Sequence, residues 1–324
     1  MTTRTRLAIV LCTFHREALL AKALDSLSQQ PIPQGLEVEI LVVDNSDAGT
    51  AREIVNQKAA ASPVPMRWLA AHPANIAVAR NAGVAATSAD FIAFLDDDQQ
   101  AASDWLRAVA ENVRNGAIDA WFGAITPQFE AGSALTPMTR TLFSRWTDRP
   151  AGDRLVALGP GKTAEVSLST ANSLFRRAAM LIGPGPFDPA FGNGGGEDYD
   201  LICRMQQRGS KMTWQPEMQA SEFVPASRCD PSYLRGRFYA GGQAFAEAAA
   251  KASAAPGLMR WIVRAKALVQ AGLLSLKLPA AAWRGGASWL DHSYVWAGVL
   301  GKLSFGQIKP IYRASDPRPA EANR

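Results

Sequence analysis

At 324 residues, 48% hydrophobic and 19% charged, the chain is long and apolar enough to fold around a sizeable core. Its three cysteines, Cys12, Cys203 and Cys229, are odd in number and far apart, which excludes a disulfide framework and a zinc-ligand spacing and favours a reducing compartment. The formal net charge of +5 is uneven: residues 1–250 hold 23 Lys and Arg against 26 Asp and Glu, whereas residues 251–313 hold nine basic residues against Asp291 alone. Only the second part suits an anionic partner surface.

Arg4 and Arg6 precede a short apolar run over residues 7–12. A signal peptide needs a longer apolar stretch and a small-residue cleavage site, so the run reads as a first buried strand. Leu19, Leu20, Ala23, Leu24 and Leu27 recur at helical spacing and predict a helix over 16–29, stopped by Pro31 and Pro33. A second apolar strand over 38–43 runs into Asp44-Asn45-Ser46-Asp47. A helix over 50–60, a strand over 66–70, a helix over 76–86 and a strand over 91–95 follow. This alternation predicts a parallel, doubly wound sheet with ligands at the carboxyl ends of its strands. Thr13, Asp44 and Asp96 fall at such ends.

Farther on, a helix over 103–115 and a strand over 120–125 precede a long irregular segment, 127–165, rich in Pro, Gly, Thr and Arg. A strand over 166–175, the loop Phe191-Gly192-Asn193-Gly194-Gly195-Gly196 and a helix over 197–209 come next. Over 258–278, Trp261, Ile262, Ala265, Leu268, Val269, Gly272, Leu273 and Leu276 share one helical face, and Arg260, Arg264, Lys266, Gln270 and Lys277 the other. Lys277 interrupts the run, which falls short of the roughly 20 apolar residues of a spanning helix. The pattern fits a basic amphipathic helix lying in a membrane interface, with 288–305 a second such element carrying Trp289, Tyr294 and Trp296. A pair of core-packed helices is the alternative. The expected division is a catalytic domain over 1–250, a basic membrane-associating helical region over 251–313 and a disordered tail over 314–324.

The strand over 91–95 ends in Asp96-Asp97-Asp98. Three adjacent carboxylates repel one another unless a cation or donor groups neutralise them. Side chains two apart share a face, so Asp96 and Asp98 can converge on one hard divalent ion while Asp97 points elsewhere. Two apparent motifs fail on inspection. Gly161-Lys162-Thr163 resembles the end of a phosphate-binding loop, but Val156 stands at its required first glycine. Residues 192–196 lack the dinucleotide-binding glycine spacing, and His15, His72 and His292 are too scattered for a metal cluster or a triad.

Four stretches together resemble the family 2 glycosyltransferases, inverting enzymes with the GT-A fold, an α/β architecture whose mostly parallel sheet is flanked by helices. Thr13-Phe14-His15-Arg16 is similar to the family's Thr-aromatic-Asn-Arg turn against the nucleotide base, with His15 in place of Asn. Val42-Val43-Asp44-Asn45-Ser46 places Asp44 at the carboxylate that reads the base. Asn75-Ile76-Ala77-Val78-Ala79-Arg80-Asn81-Ala82-Gly83 resembles the family's Asn-to-Gly element, with Ala77 where Gly is common and Arg80 near the base or diphosphate. The aspartate triplet matches the family's D-x-D, which implies Asp96 towards the ribose and Asp98 on Mg²⁺ or Mn²⁺, with Asp97 a further donor contact of unassigned role.

Residues 194–204 resemble the family's G-G-E-D-x-D-L-x-x-R segment. The resemblance implies Asp198 as the base that takes the acceptor hydroxyl proton, with Glu197 the alternative; compensation of a helix N-terminus is the plainer role for both. The metal at Asp98 would offset charge on the leaving diphosphate. Asp200 and Arg204 are spaced as an i,i+4 pair. Asn172 matches a strand end near the donor sugar. Residues 228–242 resemble the succinoglycan-type, ExoM-like branch, and the Q-x-x-R-W signature of processive synthases is absent, so single-sugar addition is expected. The implied donor is a UDP-sugar and the acceptor a glycan or lipid-linked oligosaccharide of bacterial surface synthesis, at the inner-leaflet anionic face of the cell membrane, with no nucleic-acid partner. A sugar-phosphate nucleotidyltransferase is the alternative, but it needs a Gly- and Lys/Arg-rich loop after the first strand, which Thr13–Arg16 does not supply. A catalytically silent GT-A partner protein is opposed by the intact Asp98 and Asp198.

Overall fold

The first apolar run forms β1 (Thr5–Thr13), and β2 (Leu36–Asp44) lies parallel to it, with Leu7 opposite Val38 and Thr13 opposite Asp44. The structure, a computed structural model, describes residues 4–114, 116–183 and 185–311; the tail expected over 314–324 lies outside the described residues. β3 (Met66–Ala70) continues the sheet beyond β2, and β4 (Phe91–Phe94) flanks β1, both in parallel. The strands β1, β2 and β4 are near-continuous apolar runs because helices cover both faces of such a sheet. The connecting helices are α1 (Glu17–Ser28), α2 (Arg52–Ala61) and α3 (Ile76–Ala85), and α1 buries Leu20, Ala23, Leu24 and Leu27 as its spacing predicts. α3 approaches β1 so closely that a Cβ at Gly83 would stand 2.6 Å from Val10 Cγ1, which accounts for the glycine there.

Past β4 the sheet becomes mixed. β5 (Gln99–Ala101), α4 (Trp105–Val113), β6 (Ala120–Phe129), α5 (Pro137–Phe143), β7 (Ser173–Arg176), α6 (Arg177–Met180), α7 (Glu197–Gln207) and β8 (Met212–Val224) follow in chain order. The strand order is β3-β2-β1-β4-β7-β6-β8-β5, and β7 pairs antiparallel with both β4 and β6, as β5 does with β8. The architecture is therefore mixed α/β: a parallel, helix-flanked half joined to an antiparallel half.

Two differences from the sequence reading have local causes. The strand expected over 166–175 is shortened to Ser173–Arg176 because Asn172 takes a left-handed backbone (φ 43°), which ends an extended run. The strand β8 went unread because Pro216 and several polar residues interrupt it; proline argues against a strand interior. The segment 127–165, expected to be irregular, holds the end of β6 and all of α5.

Contacts group the chain into two units. One comprises Met1–Gln128, Thr141–Pro189 and Glu197–Phe223; the other comprises Phe129–Arg140, Ala190–Gly196 and Val224–Arg324. Within the second, α8 (Pro231–Lys251), α9 (Pro256–Arg284) and α10 (Gly286–Leu303) pack together, so α8, which ends beside the boundary expected at 250, groups with the helices after it. Asp230 caps α8 by accepting from the Ser232 and Tyr233 amides, with Pro231 in the first turn. α8 and α10 meet through glycines: a Cβ at Gly242 would lie 2.1 Å from Gly298 O, and one at Gly301 2.0 Å from Tyr239 O. Among the described residues, no helix is long and apolar enough to cross a membrane.

Candidate active site

At the carboxyl end of β4 the chain turns over 96–99, with the Gln99 amide donating to Asp96 O and the Asp96 amide to Gln99 Oε1. This turn brings Asp97 and Asp98 together at Arg16 and leaves Asp96 beside Arg80, a different grouping from the Asp96 and Asp98 pair that strand alternation suggests. Asp97 points back to the end of β1, where Thr13 Oγ1 donates to its Oδ2 at 2.8 Å. Arg16, just before α1, donates from one nitrogen to Asp97 Oδ1 and to Asp98 Oδ2, each at 3.1 Å. Asp97 and Asp98 are buried, while Asp96 keeps part of its carboxylate open. Burial pushes the Asp97 carboxyl up to about 6, against the pull of Arg16.

Arg80, buried in α3, joins this cluster to the start of α7. Its Nη1 donates to Glu197 Oε1, its Nη2 lies 3.6 Å from Asp96 Oδ1, and its guanidinium sits over the Phe187 ring at 5.7 Å. Burial alone would disfavour the Arg80 charge, but Glu197 and Asp96 outweigh it and the group stays a cation. Burial pushes the Glu197 carboxyl up to about 7, with Arg80 opposing, and its Oε2 is buried without a hydrogen bond. Asp198, next along, is half-buried and accepts from the Tyr199 amide at 2.6 Å. Asp200 is buried and pairs with Arg204 at 2.8 Å, as their spacing predicts. Asp97 and Asp98 thus contact Arg16, and Asp96 and Glu197 contact Arg80, with Asp198 next to Glu197 in the chain.

The loop before α7 is glycine-rich for steric reasons. A Cβ at Gly194 would stand 2.4 Å from Ile308 Cγ2, and at Gly196, which has φ 103°, a Cβ would stand 2.5 Å from Ala244 Cβ. His15 also has a left-handed backbone, φ 54°, a conformation that suits Asn and tolerates His; this explains how His15 fills a position where Asn is usual. Phe14, half-buried, meets the His15 ring edge-on at 4.5 Å. Burial pushes the Cys12 thiol up to about 12, so no thiolate stands beside the cluster.

Three expected contact residues have their polar atoms engaged inside the protein. Asp44 is fully buried: Oδ1 accepts from Ser46 N and Oγ, and Oδ2 from Ala51 N and Trp68 Nε1. These bonds organise the turn into α2. Asn172 is likewise fully buried, with Oδ1 accepting from Trp105 Nε1 at 2.7 Å and Nδ2 donating to Ala124 O and Met218 O. Its side chain locks strands together and has no surface to offer a sugar. Asn75 caps α3, accepting from the Ala77 and Val78 amides, and donates to Pro189 O.

Sequence reasoning passed over two residues that support the site. Asn45 ties the end of β2 to the entry of α3, donating to Ala71 O at 2.6 Å and accepting from the Asn75 amide at 2.6 Å. Arg145 is buried and donates to Gly123 O, Asn172 O and Ser173 Oγ, and burial pulls its guanidinium down to about 10. An arginine in a proline- and threonine-rich segment carries no signal of burial, so only the structure reveals it.

Among the described residues, no three His, Cys, Asp or Glu side chains converge as a ready-made metal site. A hard divalent cation in a phosphate-binding site takes one or two carboxylates and completes its shell with substrate oxygens and water. Asp98, held by Arg16, and Asp96, beside Arg80, are carboxylates of the kind such a set uses. The partly open Asp96 and Asp198 are where such a cluster can meet a ligand.

The glycosyl transferase family 2 model matches residues 8–180. The succinoglycan biosynthesis protein ExoM of Rhizobium meliloti (strain 1021) is 30% identical over 237 residues, covering 72% of each chain. Among solved structures, the mannosyltransferase PcManGT from Pyrobaculum calidifontis, in complex with GDP-Man and Mn²⁺, aligns with TM-score 0.58 at 18% identity over 93% of this chain and 88% of its own. S. aureus TarS 1–349 aligns with TM-score 0.56 at 15% identity over 79% and 68%, and its complex with UDP-GlcNAc with TM-score 0.52 over 79% and 70%. At these identities the structural likenesses establish the GT-A-like fold, while the family match and the ExoM identity cover most of the sequence. The chain belongs to glycosyl transferase family 2 and is a glycosyltransferase.

Proposed function

We propose that the protein transfers one sugar, with inversion, from a UDP-sugar to a glycan or lipid-linked acceptor at the cytoplasmic face of an anionic membrane, in polysaccharide assembly. The observation that supports this reading is the buried junction of Arg80 with Asp96 and with Glu197, the residue before the base candidate Asp198. The ExoM name speaks of polysaccharide synthesis, and the structural neighbours were solved with UDP-GlcNAc, UDP, or GDP-Man and Mn²⁺.

Thr13, Phe14 and Arg16 border the nucleotide site, with Asp44 and Asn75 holding the turns that shape it. Asp96 takes the ribose, Asp97 anchors Thr13 and Arg16, and Asn172 supports the floor from within. Asp98, with Asp96 beside it, would hold Mg²⁺ or Mn²⁺, which supplies positive charge for the leaving diphosphate. Arg80 adds a fixed cation next to the same carboxylates. Asp198 is the base because it is half-exposed, whereas Glu197 is buried and spends one oxygen on Arg80. The accepted proton leaves the acceptor hydroxyl as its oxygen attacks the anomeric carbon in line.

The test is nucleoside diphosphate release with Mg²⁺ or Mn²⁺ and a panel of UDP- and GDP-sugars. Asp198→Asn is expected to lower kcat by about 10²–10⁴-fold with donor affinity retained. A protein that neither binds nor turns over any sugar nucleotide would end this reading.

A further inference from the structure

α9 packs the wrong way round for a helix in water. The residues it turns towards α8 and α10 are small and few: Val263, Ala267 and Ala281 are buried. At 100° per residue the opposite side carries Trp261, Leu268, Val269, Leu273, Leu276 and Trp283, and all of them are exposed. Leu276 is 79% exposed and Trp283 88%. A surface helix of a globular protein shows the reverse, its apolar stripe inward. From Leu258 to Trp283 this stripe is about 40 Å long and one helix wide.

The charges beside the stripe say what covers it. Lys266, Lys277 and Arg284 line one flank and are exposed, and Asp291 is the lone acid among residues 251–313 against nine bases. A second copy of this chain would set those like charges against each other. An anionic bilayer meets both demands, offering an apolar layer about 5–10 Å deep and negative headgroups along its edge. No described helix is fit to cross a bilayer, which leaves insertion in the plane. We infer that α9 docks lengthwise in an anionic lipid surface by this outward stripe, with Lys266, Lys277 and Arg284 at the headgroups. The inference deepens the membrane contact proposed above and assigns it to one helix face.

The experiment is vesicle flotation of the full chain, with phosphatidylglycerol–phosphatidylethanolamine vesicles against phosphatidylcholine alone, alongside its oligomeric state without lipid. Wild type is expected to float with the anionic vesicles only. The double variant Leu273→Glu, Leu276→Glu should lose at least about tenfold in vesicle affinity, and Lys266→Gln, Lys277→Gln should lose the preference for anionic lipid and its salt dependence. Both pairs lie outside the buried stripe, so the thermal melting of each variant should match wild type. Wild type failing to float, variants floating as well as wild type, or a lipid-free dimer that Leu273→Glu, Leu276→Glu dissociates would each overturn the inference. Flotation needs no turnover, so its outcome stands apart from that of the glycosyl-transfer assay.

Discussion

Arg16 donates through a single nitrogen to both Asp97 and Asp98, so a divalent cation entering at Asp98 competes with a guanidinium for the same oxygen. Arg16→Gln is therefore expected to tighten Mn²⁺ binding to the nucleotide-free protein by about tenfold, equivalent to about 1.4 kcal/mol. Electron paramagnetic resonance of free Mn²⁺ measures this, and an unchanged or weaker affinity would refute the competition. Glu197 makes a separate prediction. Its carboxyl is raised by burial from 4.5 to about 7, so the stability it contributes is full below pH 4.5 and is lost as pH rises through about 7. Glu197→Gln should flatten that part of the stability profile, read as urea midpoints across this window. Part of the cluster was legible in sequence because Thr13, the aspartate triplet and the Glu197-Asp198 pair each end an apolar strand or open a helix, whereas Arg80, inside α3, stood out only through its motif. The enclosure of Asp44 and Asn172 was not, because it depends on partners such as Trp68, Trp105 and Met218, whose side chains reach them only in the fold.

Among the elements, β1, β2, β4 and α1 followed from hydrophobic period, since each buries a continuous run or stripe, whereas β3 has no fully buried residue and α2 buries only Val55. β8 did not, because Pro216 interrupts it, and the strand read over 166–175 survives only at its end as β7, because the left-handed Asn172 breaks it without a local signal. The contact of α8 with α10 is also invisible to periodicity. It rests on Gly242, Gly298 and Gly301, where backbone touches backbone. Gly301→Val should force those helices apart and cost about 1–3 kcal/mol, seen as a lower Tm of the full chain. A variant melting with wild type would show that the helices separate freely.

At the scale of the whole molecule, charge divides more sharply than fold. Residues 1–250 are net acidic by three, whereas residues 251–313 carry an excess of eight positive charges. Attraction to anionic vesicles should therefore weaken steeply with salt, while the buried pairing of Arg80 with Glu197 is screened far less. Vesicle flotation and the stability profile of Glu197, both followed across a salt series, should respond by different amounts. Equal sensitivity would show that one electrostatic field governs both.

The cysteines have a practical consequence. Burial pushes Cys12 and Cys203 up to about 12 and raises Cys229 as well, so none offers a ready thiolate near neutral pH. A maleimide dye should therefore ignore the native protein. A lone cysteine installed at Leu276 would then be the one fast-reacting handle, and the colour of its fluorophore would report how deeply that position enters oil.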